Sequence, residues 1–172
     1  MSIKFIIAIL MTSVLLSACQ EDLLPSNDPL ENTNTIKQGS IVEDLSYTLS
    51  DGSQKTFSSE LSMHDAVVIY FTMWCPVCDS HMSHIRNELV PEYTNVKFIL
   101  LDYVSGSIAY TLDAQQANGY LDFDVIADYN NQLEEYFNGT MATTVVIDKN
   151  FVVKFKGLFK TTSDIKATLD SL

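Results

Sequence analysis

Two cysteines spaced three residues apart are the side chains in this sequence best suited to chemistry. Cys75 and Cys78 belong to a Trp-Cys-Pro-Val-Cys motif that directly follows the apolar run 66–71. That run is short and rich in β-branched and aromatic residues, which predicts a buried strand. A helix is expected from Pro76 to about Tyr93, since proline suits a first helical turn that needs no N–H donor. The pair is therefore predicted where a strand ends and a helix begins.

This position predicts redox chemistry for the pair. Free N–H groups and the dipole at a helix N-terminus stabilise a thiolate, so we expect Cys75 to have a lowered pKa. Cys78 lies one turn further along the same helix face, within reach of the Cys75 sulfur. The two thiols can therefore form and open a disulfide with little movement of the backbone.

A metal site and a static disulfide are the alternative uses of such a pair. Structural zinc usually takes four ligands from two such pairs, and this chain has one. His81 and His84 would lie on the same short helix as the cysteines, from which a tetrahedron is rarely completed. A disulfide across four residues would remove little entropy from the unfolded chain. Redox exchange, with neither metal nor cofactor, is the favoured interpretation.

The N-terminal residues predict export and lipid attachment. Lys4 precedes the apolar stretch 5–16, which is too short to be a confident membrane span. The stretch ends in Leu-Ser-Ala-Cys, which resembles the bacterial lipobox. The resemblance implies that residues 1–18 are a signal peptide and that Cys19 becomes the acylated N-terminus; an ordinary secretory signal is the alternative. Several acyl chains would anchor the protein stably to a membrane.

The remaining sequence divides into a tether and one domain. Residues 19–40 are polar and contain two prolines, which predicts a flexible tether, and residues 41–172 form the domain. The formal net charge of −12 excludes nucleic acid as a partner. With Cys19 lipidated, the other two cysteines form one pair and no thiol is left over. The expected location is the bacterial cell envelope, anchored to the membrane and facing the periplasm.

Strands alternate with helices along the predicted domain. Apolar runs and turn signals predict strands at 46–49, 66–71, 96–102, 125–127, 143–148 and 151–155, the last two forming a hairpin. Further helices are expected over 108–118 and 132–137 and from a cap at Ser163 to about Leu169. This order predicts an α/β fold with a central mixed sheet flanked by helices on both faces.

The motif and this order of elements resemble the thioredoxin fold. More narrowly, they resemble the TlpA/ResA-like family of membrane-anchored thiol–disulfide oxidoreductases over about residues 41–172, with supporting matches at 49–52 and 123–128. The resemblance implies that Cys75 attacks a substrate disulfide, that Cys78 resolves the mixed disulfide, and that Trp74 shields the site. It also implies protein thiols or disulfides and an upstream electron donor as partners, with reduction as the favoured direction.

Three positions depart from the family pattern. Ala142, just before Thr143, stands where the family carries a cis-proline. Because a cis bond before a non-proline residue costs about 3 kcal/mol, we expect a trans or strained bond there, a weaker substrate-docking edge, and thiols more open to soft metals. Ile69 replaces an acidic or amide side chain beneath the pair. His81 replaces a common Glu and is expected either to shuttle a proton or to be an exposed helix residue.

Two other functions stay open as alternatives. A Thr-x-x-Cys sequence ending at Cys75 resembles the peroxiredoxin motif, although the one arginine of the chain, Arg86, lies on the cysteine helix rather than at a distant position. Cys75, Cys78, His81 and Met82 together would suit a copper-handling module, since soft ligands favour Cu(I). The sequence favours an extracytoplasmic thiol–disulfide oxidoreductase over both.

Overall fold

A computed structural model describes residues 36–172, so the predicted signal peptide, Cys19 and most of the predicted tether lie outside the described residues. The helices and strands follow one another in the predicted alternation. In chain order they are β1 (Ser46–Thr48), β2 (Gln54–Thr56), α1 (Phe57–Leu61), β3 (Ala66–Thr72), α2 (Pro76–His84), β4 (Val96–Asp102), α3 (Ile108–Ala117), β5 (Asp124–Ala127), α4 (Gln132–Phe137), β6 (Thr143–Asp148), β7 (Val153–Leu158) and α5 (Thr162–Leu169).

Five of these strands form one mixed sheet in the order β5-β4-β3-β6-β7. β3 pairs in parallel with β4, and β4 in parallel with β5. β6 runs antiparallel to both β3 and β7. The predicted α/β fold with a mixed central sheet is therefore confirmed, and β3, which ends just before the cysteines, lies in its middle.

Each face of the sheet is covered by helices and has its own apolar core. We call the first the cysteine-side cluster; besides Cys78 it contains Met82 and Ile85, together with Ile165 from α5. The second, the opposite-side cluster, packs α1 and α4 against the other face. All seven residues of β3 are buried, because both of its faces are covered. This explains why its sequence shows no apolar–polar alternation.

Several predicted boundaries differ from the structure, most of them by a single residue. The cysteine helix ends as α-helix at His84 and continues as a π-helical turn only to Leu89, since Pro91 soon follows and cannot donate the next backbone hydrogen bond. The last strand begins at Val153 rather than residue 151, because the Asp148 carboxylate accepts from two backbone N–H groups and widens the turn.

The final helix begins at Thr162, with Thr161 rather than Ser163 at its N-cap. Thr161, Thr162 and Ser163 are all residue types that suit a helix start, so the sequence alone does not select among them. In the structure Thr161 has the extended backbone of a cap, with φ −148° and ψ 166°, and its side chain makes no capping hydrogen bond.

The described part of the predicted tether contacts the domain. The Gly39 N–H donates to the Val153 carbonyl, and the Val153 N–H donates to the Ser40 carbonyl. The Lys156 ammonium donates to the Ile36 carbonyl. Residues 36–40 thus contact the sheet. Over residues 36–172, no helix has the length and apolar character needed to cross a membrane.

Candidate active site

The two cysteines lie where the sequence predicts, between β3 and α2. Cys75 is the N-cap residue of α2, with an extended backbone (φ −89°, ψ 162°), and Pro76 is the first helical residue. The Cys78 backbone N–H donates to the Cys75 sulfur across 3.2 Å. The sulfur therefore takes the place of the oxygen in an ordinary helix cap, an arrangement that stabilises negative charge on Cys75.

The two sulfurs are close and differ in exposure. They lie 2.7 Å apart, and both thiols are free. Cys78 is completely buried, whereas Cys75 is partly exposed. Burial raises the pKa of the Cys78 thiol, but hydrogen bonds from the Cys75 thiol, nearby backbone and the Thr72 hydroxyl outweigh it, so the pKa of Cys78 is lowered. Of the two sulfurs, only that of Cys75 is accessible to a partner.

Trp74 is fixed beside the pair by polar contacts at both ends. Its backbone has a left-handed φ of 56°, and its backbone N–H donates to the Thr72 hydroxyl. Its indole N–H donates to the buried Asp102 carboxylate across 2.9 Å. The other Asp102 oxygen accepts from the backbone N–H groups of residues 104 and 105. Sequence analysis did not identify this carboxylate, because Asp102 comes to the site through its pairing with Thr72 in the neighbouring strand.

A buried tyrosine is the polar group that sequence analysis missed beneath the pair. Tyr70 is completely buried in the cysteine-side cluster with Cys78. Its hydroxyl lies 3.0 Å from Nδ1 of His81. Burial, followed by the nearby Cys78, raises the pKa of Tyr70, and burial lowers the pKa of His81, which is therefore neutral near pH 7. Ile69 points to the opposite-side cluster, so Tyr70 is the strand residue that faces the thiols.

The loop before β6 brings a third sulfur to the site. The peptide bonds of residues 36–172 are all trans, so the Met141–Ala142 bond is trans, and Ala142 has a left-handed φ of 67°. Its N–H donates to the Phe71 carbonyl and its carbonyl accepts from the Phe159 N–H. The Thr143 hydroxyl accepts from the Thr140 N–H and closes the turn. This loop holds the Met141 sulfur 3.5 Å from the Cys75 sulfur.

Other candidate residues lie away from the reacting atoms. Met82 is fully buried in the cysteine-side cluster. The Arg86 guanidinium donates to the Gly119 carbonyl, pairs with Asp122 and stacks on the Tyr120 ring at 4.1 Å. Among residues 36–172, no group of three or more His, Cys, Asp or Glu side chains is arranged to hold a metal. The structure thus assembles a dithiol with Trp74, Tyr70, His81 and Met141 around it.

The fold and the dithiol define a thiol–disulfide oxidoreductase of thioredoxin-like fold. The chain belongs to the Redoxin family, whose profile matches residues 30–169. No curated protein sequence matches it at a significant level.

Solved structures with the same fold come from several bacteria. A putative thiol:disulfide interchange protein DsbE from Chlorobium tepidum is 14% identical with a TM-score of 0.66, and the match covers 80% of this chain and 98% of that one. Peroxidoxin BcpB from Mycobacterium tuberculosis is 20% identical with a TM-score of 0.66, covering 80% and 98%. A putative protein disulfide isomerase from Bacteroides thetaiotaomicron is 19% identical with a TM-score of 0.65, covering 79% and 88%. At these identities the likeness concerns the fold alone.

Proposed function

We propose that this chain is an extracytoplasmic, lipid-anchored reductase of protein disulfides, of the TlpA/ResA-like type. The observation that carries the proposal is the asymmetric dithiol: one accessible sulfur capping α2, and a buried sulfur 2.7 Å behind it. An accessible thiolate can attack an incoming disulfide, and a second thiol held at contact distance can then release the product.

The proposed reaction has two steps. The Cys75 thiolate attacks one sulfur of the substrate disulfide, forming a mixed disulfide and releasing the first substrate thiolate. Cys78 then loses its proton, and its thiolate attacks the Cys75 sulfur, which releases the second substrate sulfur as a thiolate and leaves the Cys75–Cys78 disulfide. Substrate is reduced by two electrons and the pair is oxidised by two, so a separate electron donor must reduce the pair again.

Tyr70 and His81 are positioned to assist the second step. The buried Cys78 must give up a proton where water has little access, and the Tyr70 hydroxyl faces it. That hydroxyl is hydrogen-bonded to the neutral His81 ring, which lies partly exposed at the surface. A proton can leave Cys78 through these two groups without either one carrying a permanent charge.

The proposed location and direction depend on the sequence. The Leu-Ser-Ala-Cys stretch ending at Cys19 supports lipid anchoring in the cell envelope, and the resemblance to TlpA/ResA-like proteins supports reduction. Labelling with a fatty acid should be lost in Cys19→Ala, with the protein released or left uncleaved. Unchanged labelling in Cys19→Ala would refute the anchor without touching the redox assignment.

Peroxidase activity has less support from the site. A peroxiredoxin needs an arginine that holds the peroxide at the thiolate, and the guanidinium of Arg86 is instead occupied by Gly119 and Asp122. The thiol–disulfide assignment therefore stands ahead of the peroxidase alternative.

Trapping of mixed disulfides tests the assignment of the two cysteines. Cys78→Ser should accumulate mixed disulfides between Cys75 and protein substrates, because the resolving thiol is gone, while the matched Cys75→Ser variant should accumulate few. In the reduced wild type, alkylation at mildly acidic pH should modify Cys75 first. Trapping through Cys78 alone, or preferential alkylation of Cys78, would reverse the roles.

A further inference from the structure

Met141 adds a thioether to the two thiols of the redox pair. Its sulfur lies 3.5 Å from the Cys75 sulfur, which in turn lies 2.7 Å from the Cys78 sulfur. Met141 comes from the loop before β6, so the third sulfur approaches from a different direction than the two on α2. Three sulfurs from two elements can surround an ion, which residues on one helix rarely do.

The loop holds Met141 in this position through its backbone. Ala142 is hydrogen-bonded to the Phe71 carbonyl near the end of β3 and to the Phe159 N–H just after β7. Thr143 closes the preceding turn through its hydroxyl. Because an alanine stands at position 142, no proline ring follows Met141. The Met141 side chain, 37% exposed, stays open to solvent beside Cys75.

We propose that Cys75, Cys78 and Met141 form a binding site for a single soft monovalent metal ion, Cu(I). Thiolate and thioether sulfur favour Cu(I), whereas structural zinc takes four ligands and uses imidazole, thiolate or carboxylate. Binding releases the two thiol protons and leaves a complex with one net negative charge. The N-terminus of the nine-residue helix α2 stabilises that charge through its dipole and the Cys78 N–H.

This ligand set replaces the one suggested by the sequence. His81 is hydrogen-bonded to Tyr70 through Nδ1, and its ring packs 4.8 Å from the Phe159 ring. Met82 is fully buried among apolar side chains. Met141 was not among the sequence candidates, since it lies 66 residues from Cys75 along the chain. Because Met141 lies at the surface, the site allows the ion to be exchanged with a partner.

Competition for Cu(I) with a chromophoric chelator tests the site. The full-length chain carrying Cys19→Ala, which removes the third thiol, is reduced, kept without oxygen and titrated with Cu(I) alone. We expect one Cu(I) per chain with three sulfur ligands by X-ray absorption. Met141→Leu should weaken binding at least about tenfold and lower the sulfur number to two. The control Met63→Leu, which changes an exposed methionine in the loop before β3, should change neither quantity.

Equal affinities in Met141→Leu and Met63→Leu, or two sulfur ligands already in the parent, would overturn the site. Failure to bind one Cu(I) per chain would do the same. Because binding is read from the chelator and not from disulfide reduction, each of these results leaves the proposed redox function untouched. In the same way, a failure to detect disulfide reduction would not affect the Cu(I) measurement.

Discussion

The two sides of the central sheet are built by alternate residues of the same strands, yet they bury different chemistry. On the cysteine side, the hydroxyls of Tyr70 and Tyr120 are hydrogen-bonded to residues of α2, His81 and Asp79. On the opposite side, the buried Tyr47 hydroxyl has no hydrogen-bond partner among the described residues. Tyrosine hydroxyls therefore tie the cysteine helix to one side, whereas on the other side the buried Asp128 carboxylate caps α4 by accepting from the Leu133 and Glu134 N–H groups.

This difference separates the groups that set reactivity from those that set stability. Tyr70 and Ile69 are neighbours in β3, but Tyr70 faces the thiols and Ile69 packs among aliphatic and aromatic side chains. A change at Ile69 should alter the free energy of unfolding and spare the dithiol chemistry. A change at Tyr70 should alter the dithiol chemistry.

One of the two largest losses of stability is expected for Ile69→Ala. Ile69 is fully buried and lies between Ile99 and Val145 of the adjacent strands, so the truncation leaves a cavity. We expect a loss of about 3 kcal/mol in the free energy of unfolding. Denaturant titration measures it, and the disulfide-reductase rate per folded molecule should be unchanged. A small loss of stability combined with a large loss of reductase rate would contradict the claim that Ile69 affects stability and not the dithiol chemistry.

Ala142 tests how the site loop is held. Ala142→Pro should destabilise the protein by about 3 kcal/mol or more, because proline cannot adopt a φ of 67° and lacks the N–H that bonds Phe71. Ala142→Gly, the matched variant, should stabilise it by about 1 kcal/mol through relief of the left-handed backbone. Thermal unfolding measures the stability of both variants. Equal stability of the two would show that the Ala142 backbone does not hold the loop through these hydrogen bonds.

Tyr70→Phe and Tyr47→Phe form a matched pair for reactivity. The pKa of the Cys78 thiol is lowered by its hydrogen-bond partners, so a pH titration of thiolate absorbance in the reduced wild type should have a midpoint below the usual cysteine pKa of about 8.5. Tyr70→Phe removes the hydroxyl that faces Cys78, and the midpoint should rise. Tyr47→Phe should leave the midpoint unchanged. An equal shift in Tyr47→Phe and Tyr70→Phe would contradict the claim that only the cysteine side of the sheet influences the thiols.

Tyr47→Phe should also have the smallest effect on stability. Its hydroxyl is buried without a partner, so removing the oxygen should change the free energy of unfolding by less than about 0.5 kcal/mol or raise it. Chemical denaturation measures this change. A loss above about 1 kcal/mol would mean that the hydroxyl has a stabilising contact.

The sequence predicted the fold well because its signals are local. The unbroken apolar run of β3, the proline at the start of α2 and the alternation of strands and helices each depend on neighbouring residues. Asp102, Tyr70 and Met141 could not be placed in this way, because each meets the site through strand pairing or loop anchoring. The family resemblance places Ile69 beneath the pair, whereas the structure places Tyr70 there, because a strand buried on both faces has no apolar–polar alternation that would identify the face.

The reduction potential of the Cys75–Cys78 couple tests the central claim most directly. The reduced chain is equilibrated with glutathione buffers of increasing potential, quenched with acid and alkylated. Its mass is then measured by mass spectrometry. A working redox pair should convert in one two-electron step, with a tenfold change in the equilibrium per about 30 mV, and without lasting glutathione adducts. Two separate one-thiol modifications, or a pair that stays in one state across the range, would contradict the account.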